Sequence, residues 1–334
     1  MAPQGAPLDA IVAALQRYLR VHLAAPALEV ESIDAIPEGH SGFTYFLGLV
    51  DGGARTRTVL RLPPPGARIA GPADIPRQGR VMAALNARGL PTPRIIANCS
   101  DPDVLPDGRP FVLMEAVDGE RIEQVVERVP AIEIARAAVE TLHRLQEVPV
   151  SETGLGGEPV TTLTEEMLRW NWLMSRAPEE LTGRAPRLGE MLAGRRPAEP
   201  SPTLVHADYH YGNLLFRVDG GKAAVVGVLD WEIAEIGAPL LDLGCLCVVA
   251  QRNRVPGTPN PGGGIDLNVD EVIELYGGDP EECRWYLALS CYKYASIFGY
   301  NLMLHRRGKR PDPMYENLTE VITALIEQGA ELLA

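Results

Sequence analysis

Between Leu204 and Phe216 the chain reads LVHADYHYGNLLF, which sets His206, Asp208, His210 and Asn213 between apolar flanks. Polar side chains in such a setting are costly unless they bind or react. Read as a strand, the stretch would put His206, Asp208 and His210 on one face, and H-x-D-x-H is a metal-ligand pattern. Read as a plain loop, the same residues would simply be solvated. The residues downstream of Asn213 supply a third reading. Asp208 and Asn213 stand in the order D-x-x-x-x-N, just ahead of two β-rich runs, NLLFRV and AAVVGVLDW, joined by DGGK at 219–222. The second run ends in Asp230, within VLDWE. Phosphoryl transfer uses three such side chains: one carboxylate that accepts or orients the acceptor hydroxyl, and an amide oxygen and a second carboxylate that hold Mg²⁺ against the nucleotide phosphates. DG before a return strand is a hairpin signal, and a hairpin can bring Asn213 and Asp230 to one edge.

The rest of the chain must position these groups. FTYFLGLV (43–50) and RTVLRL (57–62) are rich in β-formers, with the turn residues DGGA (51–54) between them. PPPG then ends the strand. A helix is expected over 75–89, and then strands in PTPRIIANC and PFVLMEAV. Helical periodicity dominates after Gly119, over 130–146, 164–176, 270–276, 280–306 and 314–333. Near the start, Leu8, Ile11, Leu15 and Leu19 form one stripe of an amphipathic helix. VPGTPNPGGG (255–264) reads as an exposed loop or lid. The pattern is α+β, a small antiparallel sheet ahead of a larger, mainly helical part, with a boundary expected after residue 117.

Composition narrows the classes of function. A chain of 334 residues is long enough for two lobes. A net charge of −13 disfavours a nucleic-acid partner. No apolar run approaches the ~20 residues that cross a bilayer, and no basic amphipathic helix suggests membrane binding. Five cysteines without zinc-ligand spacing read as reduced thiols of a cytoplasmic protein. Lysine occurs only at positions 222, 293 and 309, so a cation needed in the first half must be arginine.

HADYHYGN and, after it, LDWEIAEIGAPLLDLG resemble the aminoglycoside phosphotransferase/choline kinase-like family, whose fold is similar to that of protein kinases. VLRLPPPG, DIPRQGRVMAAL, PTPRIIANC, FVLMEAVDG and TEEMLRWNW resemble the branch found as the kinase domain of acyl-CoA dehydrogenase fusion proteins. The resemblance spans roughly residues 25–310. It implies a bilobal protein-kinase-like fold, an N-terminal nucleotide-binding lobe over 1–117, and a helical lobe over 118–334 carrying the catalytic loop and acceptor site. It further implies an ATP- and Mg²⁺-dependent transfer to a hydroxyl of a small molecule. Asp208 becomes the catalytic base, and Asn213 and Asp230 become Mg²⁺ ligands. His206 braces the catalytic loop, and Asp242 braces it from below. Glu115, Ala116 and Val117 form the hinge that binds adenine. GHSGFTY (39–45), with Ser41 and Gly42, covers the phosphates.

Two departures from the family pattern are visible. The phosphate-binding basic residue of the third strand is Arg61 rather than lysine, which its forked donors tolerate. Its usual glutamate partner is replaced by Gln78, which has no charge but could accept a hydrogen bond from Arg61. On that reading Gln78→Glu is tolerated or beneficial. For the acceptor, RWYLALSCYKYASIFGYNLMLHRRGKR (284–310) combines aromatics with basic residues and contains no Asp or Glu. That combination suits an apolar acceptor with an anionic head, such as a hydroxyacyl thioester, better than a polycationic antibiotic. Three alternatives stay open: an antibiotic phosphotransferase, a kinase-like binding protein without turnover, and a metallohydrolase built on His206, Asp208 and His210.

Overall fold

The computed structural model describes residues 5–36, 43–251 and 264–334. Gly39, His40, Ser41 and Gly42 of the expected phosphate-covering turn lie outside the described residues, as does all but Gly264 of the loop at 255–264. The chain divides into two compact units. The first holds residues 1–118, 151–155 and 227–234; the second holds 119–150, 156–226 and 235–334. The boundary read from the sequence was a single cut after residue 117, whereas the first unit also takes in two later segments.

The first unit is built on a five-stranded sheet. Its helix α1 (Leu8–His22) buries Ile11, Ala14, Leu15 and Leu19, the stripe expected of it, with Leu8 left at the exposed end. Strands β1 (Glu29–Ala35), β2 (Phe43–Asp51) and β3 (Ala54–Leu62) precede helix α2 (Ile75–Ala87), and β4 (Ile95–Cys99) and β5 (Phe111–Glu115) complete the sheet. Their order is β1-β2-β3-β5-β4, every neighbouring pair antiparallel. Asp51 pairs with Ala54 across the first hairpin, and Gly52 and Gly53 take φ of 54° and 84°. Both are left-handed values that glycine adopts without a steric penalty and that a tight hairpin turn requires. Leu47, Leu49, Leu60, Leu62, Phe111 and Leu113 form one apolar cluster with α1. β1 was not anticipated from the sequence. A register shift between Val30 and Ser32 breaks the strict alternation by which a strand is recognised.

The second unit is mainly helical. It contains α3 (Ile122–Val125), α4 (Ala131–Gln146), α5 (Leu163–Met174), α6 (Glu179–Thr182) and α7 (Ala185–Gly194), and later α8 (Leu240–Ala250), α9 (Val269–Tyr276), α10 (Pro280–Arg306) and α11 (Thr319–Leu332). Among the helices stand two short ladders, β6 (Thr203–Val205) with β9 (Glu235–Gly237), and β7 (Leu214–Asp219) with β8 (Lys222–Val228). The β7–β8 turn repeats the chemistry of the first hairpin, with Gly220 and Gly221 at φ 53° and 77°. Helix α10 runs 27 residues and is buried on most sides, as expected of a helix without a polar face. A Cβ at Gly244 would overlap Ser290 Oγ and the Tyr286 carbonyl, so this glycine allows α8 to pack tightly on α10. Among the described residues no helix is long and apolar enough to cross a membrane.

Candidate active site

In the first unit, β3 alternation buries Leu60 and Leu62 and sends Arg61 to the opposite face. Its guanidinium reaches two carboxylates that come just after β8: Nη1 lies 3.1 Å from Asp230 Oδ1, and Nη2 lies 3.6 Å from Glu232 Oε2. Asp230 has φ 63°, a conformation that costs a non-glycine residue about 1–3 kcal/mol and persists only where the surroundings enforce it. Trp231, buried beside it, donates through Nε1 to the Val228 carbonyl at 3.0 Å, and Arg77 donates to the Ala234 carbonyl at 2.7 Å. Arg61 Nε is buried and makes no hydrogen bond among the described residues. A guanidinium with an unspent donor suits an incoming anion such as a phosphate. Among the described residues only Oδ1 of Asp230 accepts a hydrogen bond.

Gln78 does not act as expected. It is buried on α2, but its Nε2 donates to the Pro72 carbonyl at 3.0 Å, and its Oε1 has no hydrogen-bond partner. Arg61 instead takes its counter-charges from Asp230 and from Glu232, a residue that the sequence pattern left unassigned. Geometry explains the exchange. A neutral amide offers Arg61 no charge, whereas two carboxylates just after β8 do. At the expected hinge, the Glu115 N–H donates to the Arg94 carbonyl at 2.9 Å and the Ala116 N–H to the Arg57 carbonyl at 3.2 Å. The Glu115 side chain pairs with Arg94. The Val117 N–H makes no hydrogen bond among the described residues.

In the second unit, β6 ends at Val205 and the chain turns sharply. Ala207 takes φ 65°, again left-handed and again costly for a residue with a Cβ. Asp242, in the first turn of α8, accepts both the His206 N–H (2.7 Å) and the Ala207 N–H (2.8 Å), one on each carboxylate oxygen. Burial pushes the Asp242 carboxyl up to about 7, against the pull of these two amides and of Lys293. His206 is itself buried, and its Nδ1 accepts the Asp208 N–H at 3.2 Å. It touches the loop backbone.

Every contact of the Asp208 carboxylate lies within this unit. Oδ1 accepts the Tyr294 hydroxyl at 2.8 Å. Oδ2 accepts Asn213 Nδ2 at 3.2 Å and lies 3.5 Å from His210 Nε2. Burial alone would raise this carboxyl, but His210, Lys293 and the Tyr294 hydroxyl outweigh it and hold Asp208 well below the usual carboxylate range. It is therefore an ionised acceptor at neutral pH. Asn213 spends its amide hydrogens on the Asp208 carbonyl (2.9 Å) and carboxylate, and among the described residues its Oδ1, an oxygen of the type Mg²⁺ takes, accepts no hydrogen bond. His210 Nδ1 accepts the Gly212 N–H at 3.1 Å. Tyr211 is fully buried and packs in the core. The metal-ligand reading of His206, Asp208 and His210 fails here, because each imidazole already caps a backbone N–H. Among the described residues no three His, Cys, Asp or Glu side chains gather as a ligand set.

Behind this loop lies a second acidic layer. Arg169 on α5 bridges Glu166, at 3.3 Å, and Glu235 of β9, at 2.9 Å. Thr161 also donates to Glu235, at 3.0 Å. Glu166 is only 1% exposed, and burial together with the charge of Glu235 pushes it up to about 7.

Helix α10 departs most from what its sequence suggested. Trp285, Tyr286 and Tyr292 are core residues. Arg284 pairs with Asp270, and Arg306 with Glu180 and Glu316. Lys293 is buried, not offered to a ligand. The exposed part is the far end of the helix, where Tyr300 lies 5.8 Å from Trp172 of α5 and Arg176 stacks on Trp172 at 3.8 Å. A cavity of about 520 Å³ opens there, lined by Arg176, Tyr300, Met303, Leu304, Arg307 and Lys309 among others. Sequence reasoning missed Tyr294 and Lys293 as partners of the loop at Asp208. The rarity of lysine in this chain was the one available signal.

Residues 32–286 match the family model described as the phosphotransferase enzyme family. Acyl-CoA dehydrogenase family member 10 of Mus musculus is 30% identical over 250 residues, which is 72% of this chain and 22% of that protein. Family member 11 of Homo sapiens is 29% identical over 341 residues, 95% of this chain and 42% of that protein. The chain thus spans less than half the length of these relatives. Among solved structures, a Ralstonia eutropha protein provisionally described as an aminoglycoside phosphotransferase superposes with a TM-score of 0.75 at 24% identity, covering 96% of this chain and 97% of that one. A thermostable mutant of an aminoglycoside phosphotransferase, in ternary complex with AMP-PNP and hygromycin B, superposes with a TM-score of 0.62 at 14% identity, covering 95% and 99%. These likenesses show a protein-kinase-like fold, and the family match over most of the length shows the rest: the chain belongs to the phosphotransferase enzyme family.

Proposed function

We propose that this protein transfers the γ-phosphoryl group of ATP, with Mg²⁺, to a hydroxyl of a small molecule. The observation that carries the reading is the state of Asp208. Its carboxylate is ionised, and a phenolic hydroxyl already donates to Oδ1 at 2.8 Å, the separation a base needs from the hydroxyl it orients. An incoming acceptor hydroxyl would take up the same kind of bond. Asp208 then orients its oxygen for in-line attack and receives its proton as the new P–O bond forms and the bond from the γ-phosphorus to the bridging oxygen breaks, with ADP leaving. Arg61, with its unspent Nε donor, would bind phosphate oxygens. Asn213 Oδ1 and Asp230 would hold Mg²⁺, whose contribution when bound is to neutralise charge on the phosphate oxygens. His206 and Asp242 keep the loop backbone in place. The hinge at 115–117, where the Val117 N–H is unspent, would receive adenine. Ser41 and Gly42 would cover the phosphates. The free buried cysteines suit a reducing, cytoplasmic setting.

For the acceptor, we propose a hydroxyacyl compound with an anionic end. Arg307 and Lys309 form no ion pair among the described residues and share the cavity with Tyr300, Met303 and Leu304. Three cations, Arg176, Arg307 and Lys309, outnumber the one carboxylate of the wall, Glu179, a balance that suits an anion better than a polycationic antibiotic. The relationship to acyl-CoA dehydrogenase family members points the same way. One observation favours a second reading, a nucleotide-binding protein without turnover: Gln78 supplies no charge to Arg61 and is bonded to Pro72 instead.

The test is a phosphate-transfer screen of the purified protein against hydroxyacyl thioesters, aminoglycosides and macrolides, paired with Mg–ATP binding by calorimetry. Transfer to a hydroxyacyl compound is expected. Strong aminoglycoside turnover with none of any hydroxyacyl compound overturns the acceptor reading. Tight Mg–ATP binding with no transfer to any acceptor favours the binding-protein reading.

A further inference from the structure

We propose that Lys293 is a positioning residue for the catalytic loop, one that holds the Ala207 peptide in its left-handed conformation and thereby aims Asp208. The inference rests on Asp208 being the acceptor-facing carboxylate.

Lys293 sits in the middle of α10 and is only 4% exposed. A buried ammonium is costly unless it is paired and hydrogen-bonded. Here the Nζ donates to the Ala207 carbonyl and lies 3.6 Å from Cys245 Sγ. The Trp170 ring is 5.3 Å away, within cation–π range. The ionised carboxylate of Asp208 faces it, as do the Glu166 and Asp242 carboxyls when they are ionised. Each of these groups lies in the second unit.

Ala207 makes this contact specific. Its φ of 65° is one that a residue with a Cβ leaves unless held. Both polar groups of the residue are tied from separate helices: the N–H to Asp242 of α8, and the carbonyl to Lys293 of α10. The Cys245 thiol adds a weak contact to the same carbonyl at 3.7 Å. The next residue of α10, Tyr294, holds the carboxylate of the next loop residue, Asp208. Two adjacent helix positions thus secure the backbone before Asp208 and the side chain of Asp208. Small errors in orienting a reacting oxygen cost rate far more than they cost nucleotide affinity, so the effect of losing Lys293 falls on kcat.

The test compares Lys293→Met, Ala207→Gly and the double variant. Glycine adopts φ near 65° without penalty, so it removes the need for the clamp. In Lys293→Met, kcat for phosphate release from Mg–ATP is expected to fall by about 10–100-fold while the nucleotide KM stays within about 3-fold. Amide exchange over residues 204–213 is expected to speed up by about 10-fold or more. Ala207→Gly in the same chain should recover part of both. If Lys293→Met does not fold, the double variant is expected to fold, since the strained residue is gone. Unchanged exchange over 204–213 in a folded Lys293→Met overturns the proposal, as does the absence of any recovery in the double variant. If the wild type neither binds nor turns over Mg–ATP, the function proposed above fails, while the exchange measurement still decides the role of Lys293.

Discussion

Glu166→Gln tests the buried acidic layer through stability against pH. Glu166 is 1% exposed and its carboxyl is pushed up to about 7, from an ordinary value of 4.5 in the unfolded chain. The folded state therefore binds the proton more tightly than the unfolded one. The stability that this contributes is fully present below about pH 4.5 and is lost as pH rises through 7. The ceiling is about 3 kcal/mol, from about 1.4 kcal/mol for each pH unit of separation. Between about pH 6 and about pH 8.5 the loss is on the order of 1 kcal/mol, because the folded group is mostly protonated at the lower value and ionised at the upper. Full burial leaves little solvent to screen it. Asp242, also pushed up to about 7, adds a slope of the same sign to both proteins and cancels in the comparison. Urea unfolding of wild type and variant at the two pH values measures the difference. The wild type should lose on the order of 1 kcal/mol more than the variant as pH rises. Parallel pH dependence would refute the assignment of a buried proton to Glu166.

Other substitutions address the site directly. Asp208→Ala should lower turnover by about 10²–10⁴-fold with Mg–ATP affinity nearly intact; near-wild-type turnover removes Asp208 from the mechanism. Arg61→Ala should raise the nucleotide KM by about 10-fold or more, and by more than Gln78→Ala does, because only the guanidinium carries charge; kinetics of the two variants decide it. Gln78→Glu is expected to harm the protein, in contrast to the tolerance its sequence suggested. It removes the donor to Pro72 and sets a carboxylate against that carbonyl, a cost of about 1–3 kcal/mol visible in the melting temperature. Arg307→Glu combined with Lys309→Glu should weaken an anionic acceptor by about 10-fold or more while leaving Mg–ATP binding unchanged; equal acceptor KM values would move the acceptor elsewhere.

Much was determined by sequence alone, and for local reasons. DGGA and DGGK dictate tight turns because two consecutive glycines accept positive φ, so both hairpins could be read directly. The α1 stripe and the long apolar α10 were visible as periodicity. The order His206, Asp208, Asn213, Asp230 marked this loop as the candidate site, since phosphoryl transfer uses such side chains in that order. Other features depended on residues far apart in the chain. The bulge in β1 hid a strand whose partner is what defines it. The counter-charge of Arg61 came from Asp230 and Glu232, not from Gln78, because proximity after folding decides an ion pair. Lys293 read as a ligand-facing cation, yet α8 and α10 pack so closely at Gly244 that it is enclosed against Ala207. A side chain's type and period are written in its neighbours along the chain. Its partner across 86 residues is set only when helices pack and water leaves, which is when an unpaired charge becomes costly.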